Sequence, residues 1–148
     1  MVQAKLRLEE GLRATVQLRD HTLIVDEPVA DGGTDRGPTP KELLLASLGA
    51  CAAITCKMYA ARKGWALESV EIDLSMAQFK AADYPTYSGT ADFVNEFRQR
   101  IIFKGDLTHE QRERLLQIAG RCPVHRVLTA PNFLYEELAL EDEAAIGE

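Results

Sequence analysis

The sequence predicts an α+β chain, and three observations carry that reading. Short stretches of strict apolar/polar alternation crowd the N-terminus, with turn residues between them. One long apolar run follows, with helix-start residues before it and a glycine after it. Beyond that run the order is strands, then helices, then a strand, which is not the regular alternation of a doubly wound sheet.

Val2, Ala4, Leu6 and Leu8 alternate with Gln3, Lys5, Arg7 and Glu9, and Leu12, Ala14, Val16 and Leu18 alternate with Arg13, Thr15, Gln17 and Arg19. Side chains two apart share a face of a strand, so each segment predicts a strand with one buried side. Gly11 and Asp20-His21 supply turns, Leu23-Ile24-Val25 gives a third strand, and such short connections imply an antiparallel meander. Residues 31–40 read as a loop. Thr39, Pro40 and Glu42 form a capping-box pattern, predicting a helix over 40–63 that closes on Gly64.

That helix is apolar nearly all round, and a helix of this kind must be wrapped on most sides. One sheet and one further helix barely suffice in 148 residues, so the pattern predicts a homodimer. Val70, Ile72, Leu74 and Met76 alternate with polar residues as a fourth strand, and a fifth is expected over 96–104. Residues 80–95 either extend that hairpin or cover a pocket. A second capping box, Thr108 to Gln111, opens a helix that stops near Gly120. Cys122 caps a short helix through Leu128, Phe133 to Leu140 reads as a final strand, and 141–148 as a frayed acidic end.

The length fits a single domain over 1–148, with no repeat or linker. The net charge is −6 and the basic residues are scattered, which argues against nucleic acid. The N-terminus lacks the apolar core of an export signal. The longest apolar stretch, 43–56, falls short of the roughly 20 residues that span a bilayer, so no membrane association is expected. Three cysteines are too few and too odd for a secreted scaffold, and point to free thiols in the cytoplasm.

Two of those cysteines stand in unusual settings: Cys51 inside the apolar helix, Cys122 at the head of Arg121-Cys122-Pro123-Val124-His125. If the fold joins them they form a dithiol. On local electrostatics alone Cys122, at a helix N-terminus, is the more acidic thiol, while burial works against ionisation of Cys51. Cys56 lies about 140° around the helix from Cys51 and reads as a structural thiol. His125 is either a wall of the thiol pocket and proton donor or a helix-surface histidine. A zinc site from Cys51, Cys122 and His125 lacks paired ligand spacing, so no metal or cofactor is expected.

The segment Gly37-Pro38-Thr39-Pro40-Lys41-Glu42 running into Leu43 to Cys51 resembles the start of the central helix in the OsmC/Ohr family, and residues 121–128 resemble its second cysteine motif. Residues 59–67 and 104–108 fit as well. The resemblance implies an OsmC-like α+β fold with a long buried central helix, an intertwined dimer, and a thiol peroxidase reducing organic hydroperoxides or hydrogen peroxide. It makes Cys51 the attacking thiol and Cys122 the resolving one, with a dithiol reductant of lipoyl or thioredoxin type. It also implies an arginine and a glutamate at the site. Arg13 is the first choice for the arginine and Arg36 the second. In peroxide-reducing members the glutamate follows the proline directly; here Lys41 holds that place and Glu42 comes next. That departure keeps open a second reading, a small-ligand-binding or redox-sensing protein on the same fold.

Overall fold

A computed structural model describes residues 2–139. Strands β1 (Lys5–Glu10), β2 (Arg13–Leu18) and β3 (His21–Val25) form an antiparallel sheet in the order β1-β2-β3. The meander is the expected one, shifted: β1 starts three residues later than the alternation does, and Val2 lies exposed outside it. Register runs Leu6 opposite Val16 and Val16 opposite Leu23, with a bulge between Leu8 and Glu10. Val16 and Val25 are buried, whereas Leu6 and Leu8 are mostly exposed.

Helix α1 spans Pro40–Lys63, the predicted bounds. Thr39 Oγ1 accepts from Glu42 N at 3.2 Å and Glu42 Oε2 accepts from Thr39 N at 2.8 Å, satisfying two of the orphan groups at the helix start. Gly64 ends it at φ 67°, a left-handed conformation that a side chain would strain. One face is fully buried through Leu48, Ala52, Cys56 and Ala60, an i, i+4 ridge. Removing Leu48 from water contributes about 2 kcal/mol. The opposite face is open, with Ile54 and Met58 each 60% exposed, so a single chain wraps the helix on one side only. By length and composition α1 could cross a bilayer. In this fold it packs against the strand and the two helices that follow it.

Strands β4 (Ala66–Lys80) and β5 (Phe93–Asp106) form a long antiparallel hairpin, Val70 opposite Phe103 and Leu74 opposite Gln99. Residues 80–95 thus extend the hairpin at both ends, with a 3-10 turn at Ala81–Asp83 between. Gly49 lets α1 approach β4: a Cβ there would meet Leu74 Cδ1 at 2.7 Å. Helix α2 (His109–Ala119) opens on the Thr108/Gln111 capping box and buries Leu115, Ile118 and Ala119. Helix α3 (Pro123–Thr129) is capped by Cys122.

The expected last strand is a correction. Residues 131–139 carry no regular structure, and Phe133, Leu134, Tyr135 and Leu138 are at least 80% exposed. Strand propensity acts only when a segment pairs with an edge, and among the described residues this one pairs with none. Leu140 and the acidic end lie outside the described residues.

Candidate active site

α1 supplies Cys51 and the link between α2 and α3 supplies Cys122. Pro123 takes the first position of α3, where no N–H is needed. The next two backbone N–H groups then point at the two thiols. Val124 N donates to Cys51 Sγ at 3.5 Å, and His125 N donates to Cys122 Sγ at 3.3 Å. The Cys51 thiol lies close enough to Cys122 to affect its ionisation. All three cysteines are free.

The acidity expected of Cys122 is corrected by its burial. The residue is fully enclosed, and desolvation of the thiolate pushes its pKa up. The N–H groups of His125 and Val124 pull the other way, while the neighbouring Cys51 thiol adds to the rise. A helix end favours an anion only where the anion can be solvated or fully paired. Cys122 therefore keeps its proton, and Cys51, which is partly exposed, is the thiol that solutes can reach.

Cys56 is fully buried on the same helix, and its thiol donates to the Leu115 carbonyl at 3.3 Å. Burial first, then the nearby Cys122, push its pKa up to about 11. It is a packing thiol, as its place on the ridge predicts.

The remaining expected residues scatter. His125 lines a cavity against β5 together with Leu48 and Gln99. Arg13 opens β2 and lines a cleft with Gly32 and Thr34. Arg36 is exposed, and its backbone N–H donates to Asp26 at 3.1 Å. Glu42 is exposed, with its carboxylate on the Thr39 N–H; that bond holds its pKa below the usual range. Among the described residues no cluster of three or more His, Cys, Asp or Glu side chains is arranged to hold a metal.

One residue with a large structural role went unread. Asp26 is 1% exposed and accepts from Thr34 Oγ1 at 2.5 Å, Thr34 N at 3.2 Å, Arg36 N at 3.1 Å and Glu27 N at 2.9 Å. It ties the loop carrying Arg36 and the α1 cap to the end of β3. The Thr34 hydroxyl does most to lower its pKa. The readable signal was an acid directly after an apolar strand and before a Gly/Thr-rich loop.

Fold and thiol pair together define an α+β protein of the dithiol type. Solved structures share that fold. They include an OsmC-like protein from Mycoplasma pneumoniae (19% identity, 86% of each chain covered, TM-score 0.69). The organic hydroperoxide resistance protein OsmC from Legionella pneumophila is similar too (20% identity, 87% of this chain and 89% of that one, TM-score 0.64). So is the organic hydroperoxide resistance protein OhrB of Bacillus subtilis (19% identity, 87% and 90%, TM-score 0.60). No curated protein matches the chain. The chain belongs to the OsmC-like protein family, whose model matches residues 33–136.

Proposed function

We propose that the chain is a thiol-dependent peroxidase acting on organic hydroperoxides or hydrogen peroxide. The observation that carries this reading is the meeting of Cys51 and Cys122, with α3 N–H groups on both sulfurs. The Cys51 thiolate attacks one peroxide oxygen and the O–O bond breaks. The leaving alkoxide takes a proton, giving an alcohol (or water) and a Cys51 sulfenic acid. The Cys122 thiol then condenses with the sulfenic acid, forming the disulfide and releasing water. A dithiol reductant of lipoyl or thioredoxin type restores both thiols by exchange. Cys122 kept protonated leaves the first step to Cys51, since a thiol does not compete with a thiolate for the peroxide.

The family resemblance makes Arg13 the first candidate for a guanidinium beside Cys51, with Arg36 second. The open faces of α1 and of the meander support a homodimer. Three free thiols suit a reducing, cytoplasmic setting. A second reading, a ligand-binding or redox-sensing protein, draws on Glu42, whose carboxylate is already engaged in the helix cap.

Peroxide consumption with a lipoyl dithiol tests the first reading. The expected result is turnover in the parent, its loss in Cys51→Ser, and dimedone labelling of Cys51 in Cys122→Ser. No Cys51-dependent turnover would leave the second reading, and dimedone label retained in Cys51→Ser would reverse the two roles.

A further inference from the structure

Where the end of α1 meets α2, charged and aromatic side chains gather that the thiol chemistry does not use. Tyr59 stands near the end of α1, Trp65 just past its cap, and Arg114 halfway along α2; all three are half-buried. Tyr59 and Trp65 meet edge to face, with ring centroids 5.6 Å apart. Arg114 Nε donates to the Tyr59 hydroxyl at 3.2 Å, and its Cζ lies 5.7 Å from the ring centroid. Lys63 Nζ lies 5.9 Å from the same centroid. The Arg114 hydrogen bond first, then the charges of Arg114, Lys63 and Arg62, hold the Tyr59 phenol below its usual pKa, against burial, which raises it.

Three cations around one phenol repel each other. Two of them have a local reason, since the negative end of a helix favours Arg62 and Lys63 in its last turn. Arg114 has no such reason, because it comes from another helix. The carbonyls at the end of α1 do not engage these charges: Gly64 N donates to Ala61 O at 3.1 Å and Trp65 N to Ala60 O at 3.0 Å. Among the described residues none of the three cations pairs with a carboxylate. The groups that remain are donors. Arg114 Nη1 donates to Gln117 Oε1 at 2.8 Å, which leaves Nη2. The Tyr59 hydroxyl accepts from Arg114 and keeps its own hydrogen to give, and Lys63 brings an ammonium.

We propose that this corner is a binding site for a phosphate dianion, free or carried on a small molecule, held by Arg114, Lys63 and the Tyr59 hydroxyl. Such an anion satisfies the donors and relieves the repulsion together. A guanidinium beside an ammonium suits the oxygens of phosphate, and the two rings offer an apolar wall to a carrier. The site is independent of the peroxidase reading, and its test needs no turnover.

Trp65 is the only tryptophan of the chain, so its fluorescence reports on this corner. Inorganic phosphate is titrated at about pH 7.5, where phosphate is mainly dianionic, with ionic strength held constant by sodium chloride. The expected result is a saturable change with a Kd on the order of 1 mM. Lys63→Gln and Tyr59→Phe should each weaken binding, Lys63→Gln by about fivefold, the upper end for an exposed charge pair. Lys104→Gln, whose ammonium is engaged by Glu71 on the hairpin, should leave it unchanged. Phenyl phosphate separates the two sources: tighter binding than inorganic phosphate assigns an organic ester, and equal or weaker binding a free anion. Equilibrium dialysis of radiolabelled phosphate decides the case in which the fluorescence is silent. No saturable binding by either method overturns the site. So does equal weakening by Lys63→Gln and Lys104→Gln, which would mean that net charge alone attracts the anion.

Discussion

The meander and the helix-hairpin half of this chain are held together by different chemistry. Around α1, the buried groups are apolar: Leu48, Ala52, Leu67, Phe103, Leu115 and Ile118 sit in one continuous cluster with Cys56 and Cys122. In the meander, Val16 and Val25 are the buried apolar residues, and the most deeply buried side chain nearby is a carboxylate, Asp26. Apolar burial is non-directional and scales with area, whereas a buried carboxylate stabilises only while each of its donors is in place. The thiol pair lies in the half that is packed, where a sulfur cannot drift from its partner. The expected cationic residues lie in the half that is tied by hydrogen bonds and still has apolar surface to cover.

The sharpest way to break that contrast is to cut a methyl cluster from each half. Leu115 is completely buried, so Leu115→Ala should cost about 3 kcal/mol by urea unfolding. Leu8 is 59% exposed, and Leu8→Ala should cost under about 0.5 kcal/mol in dilute protein. A Leu8→Ala cost that grows with protein concentration would identify a second copy as the missing cover. Equal costs at every concentration would refute the division into two kinds of half.

Asp26 sharpens the same contrast through pH. Its folded-state pKa is depressed, chiefly by the Thr34 hydroxyl. The stability it contributes is therefore present above the unfolded carboxylate value, about 3.9, and is lost as pH falls through the lower folded value. Asp26→Asn should lower the melting temperature by several degrees at pH 7, because one amide cannot accept from all of these donors. The gap between parent and variant should close as pH falls below about 4. A gap that stays constant down to pH 2 would show that the carboxylate charge is not what holds the loop.

What could be read from the sequence was local. Both ends of α1 follow from contacts within a few residues, Thr39 with Glu42 and Gly64 with the last turn, and the structure has them where the residues predict. The same holds for Thr108 with Gln111 and for Cys122 as a cap. What escaped is non-local or depends on burial. Asp26 finds donors eight and ten residues on, with no periodicity to mark them. The meeting of Cys51 with Val124 spans 73 residues, and only the family resemblance foresaw a pairing of the two cysteine motifs. The acidity argued for Cys122 rested on a helix end and missed the desolvation that outweighs it. Residues 133–140 read as a strand, but such a reading cannot say whether the segment will pair with an edge.

Cys56 gives the smallest test, and it probes the packed half from the alkaline side. Its thiol is fully buried, donates to the Leu115 carbonyl, and has its pKa pushed up to about 11. For an acid whose folded pKa is raised, the stabilisation is complete below the unfolded value, near 8.5, and is lost as pH rises toward the folded one. At pH 7, Cys56→Ala should cost about 1 kcal/mol, from the small void and the lost hydrogen bond. Between pH 9 and about 11 the parent should lose stability that the variant has no thiol to lose, so the two unfolding midpoints converge. Iodoacetamide at pH 8 should meanwhile label Cys51 in the native protein and spare Cys56. Rapid labelling of Cys56 would mean that α1 and α2 separate readily there, and that the packed half is looser than its burial implies.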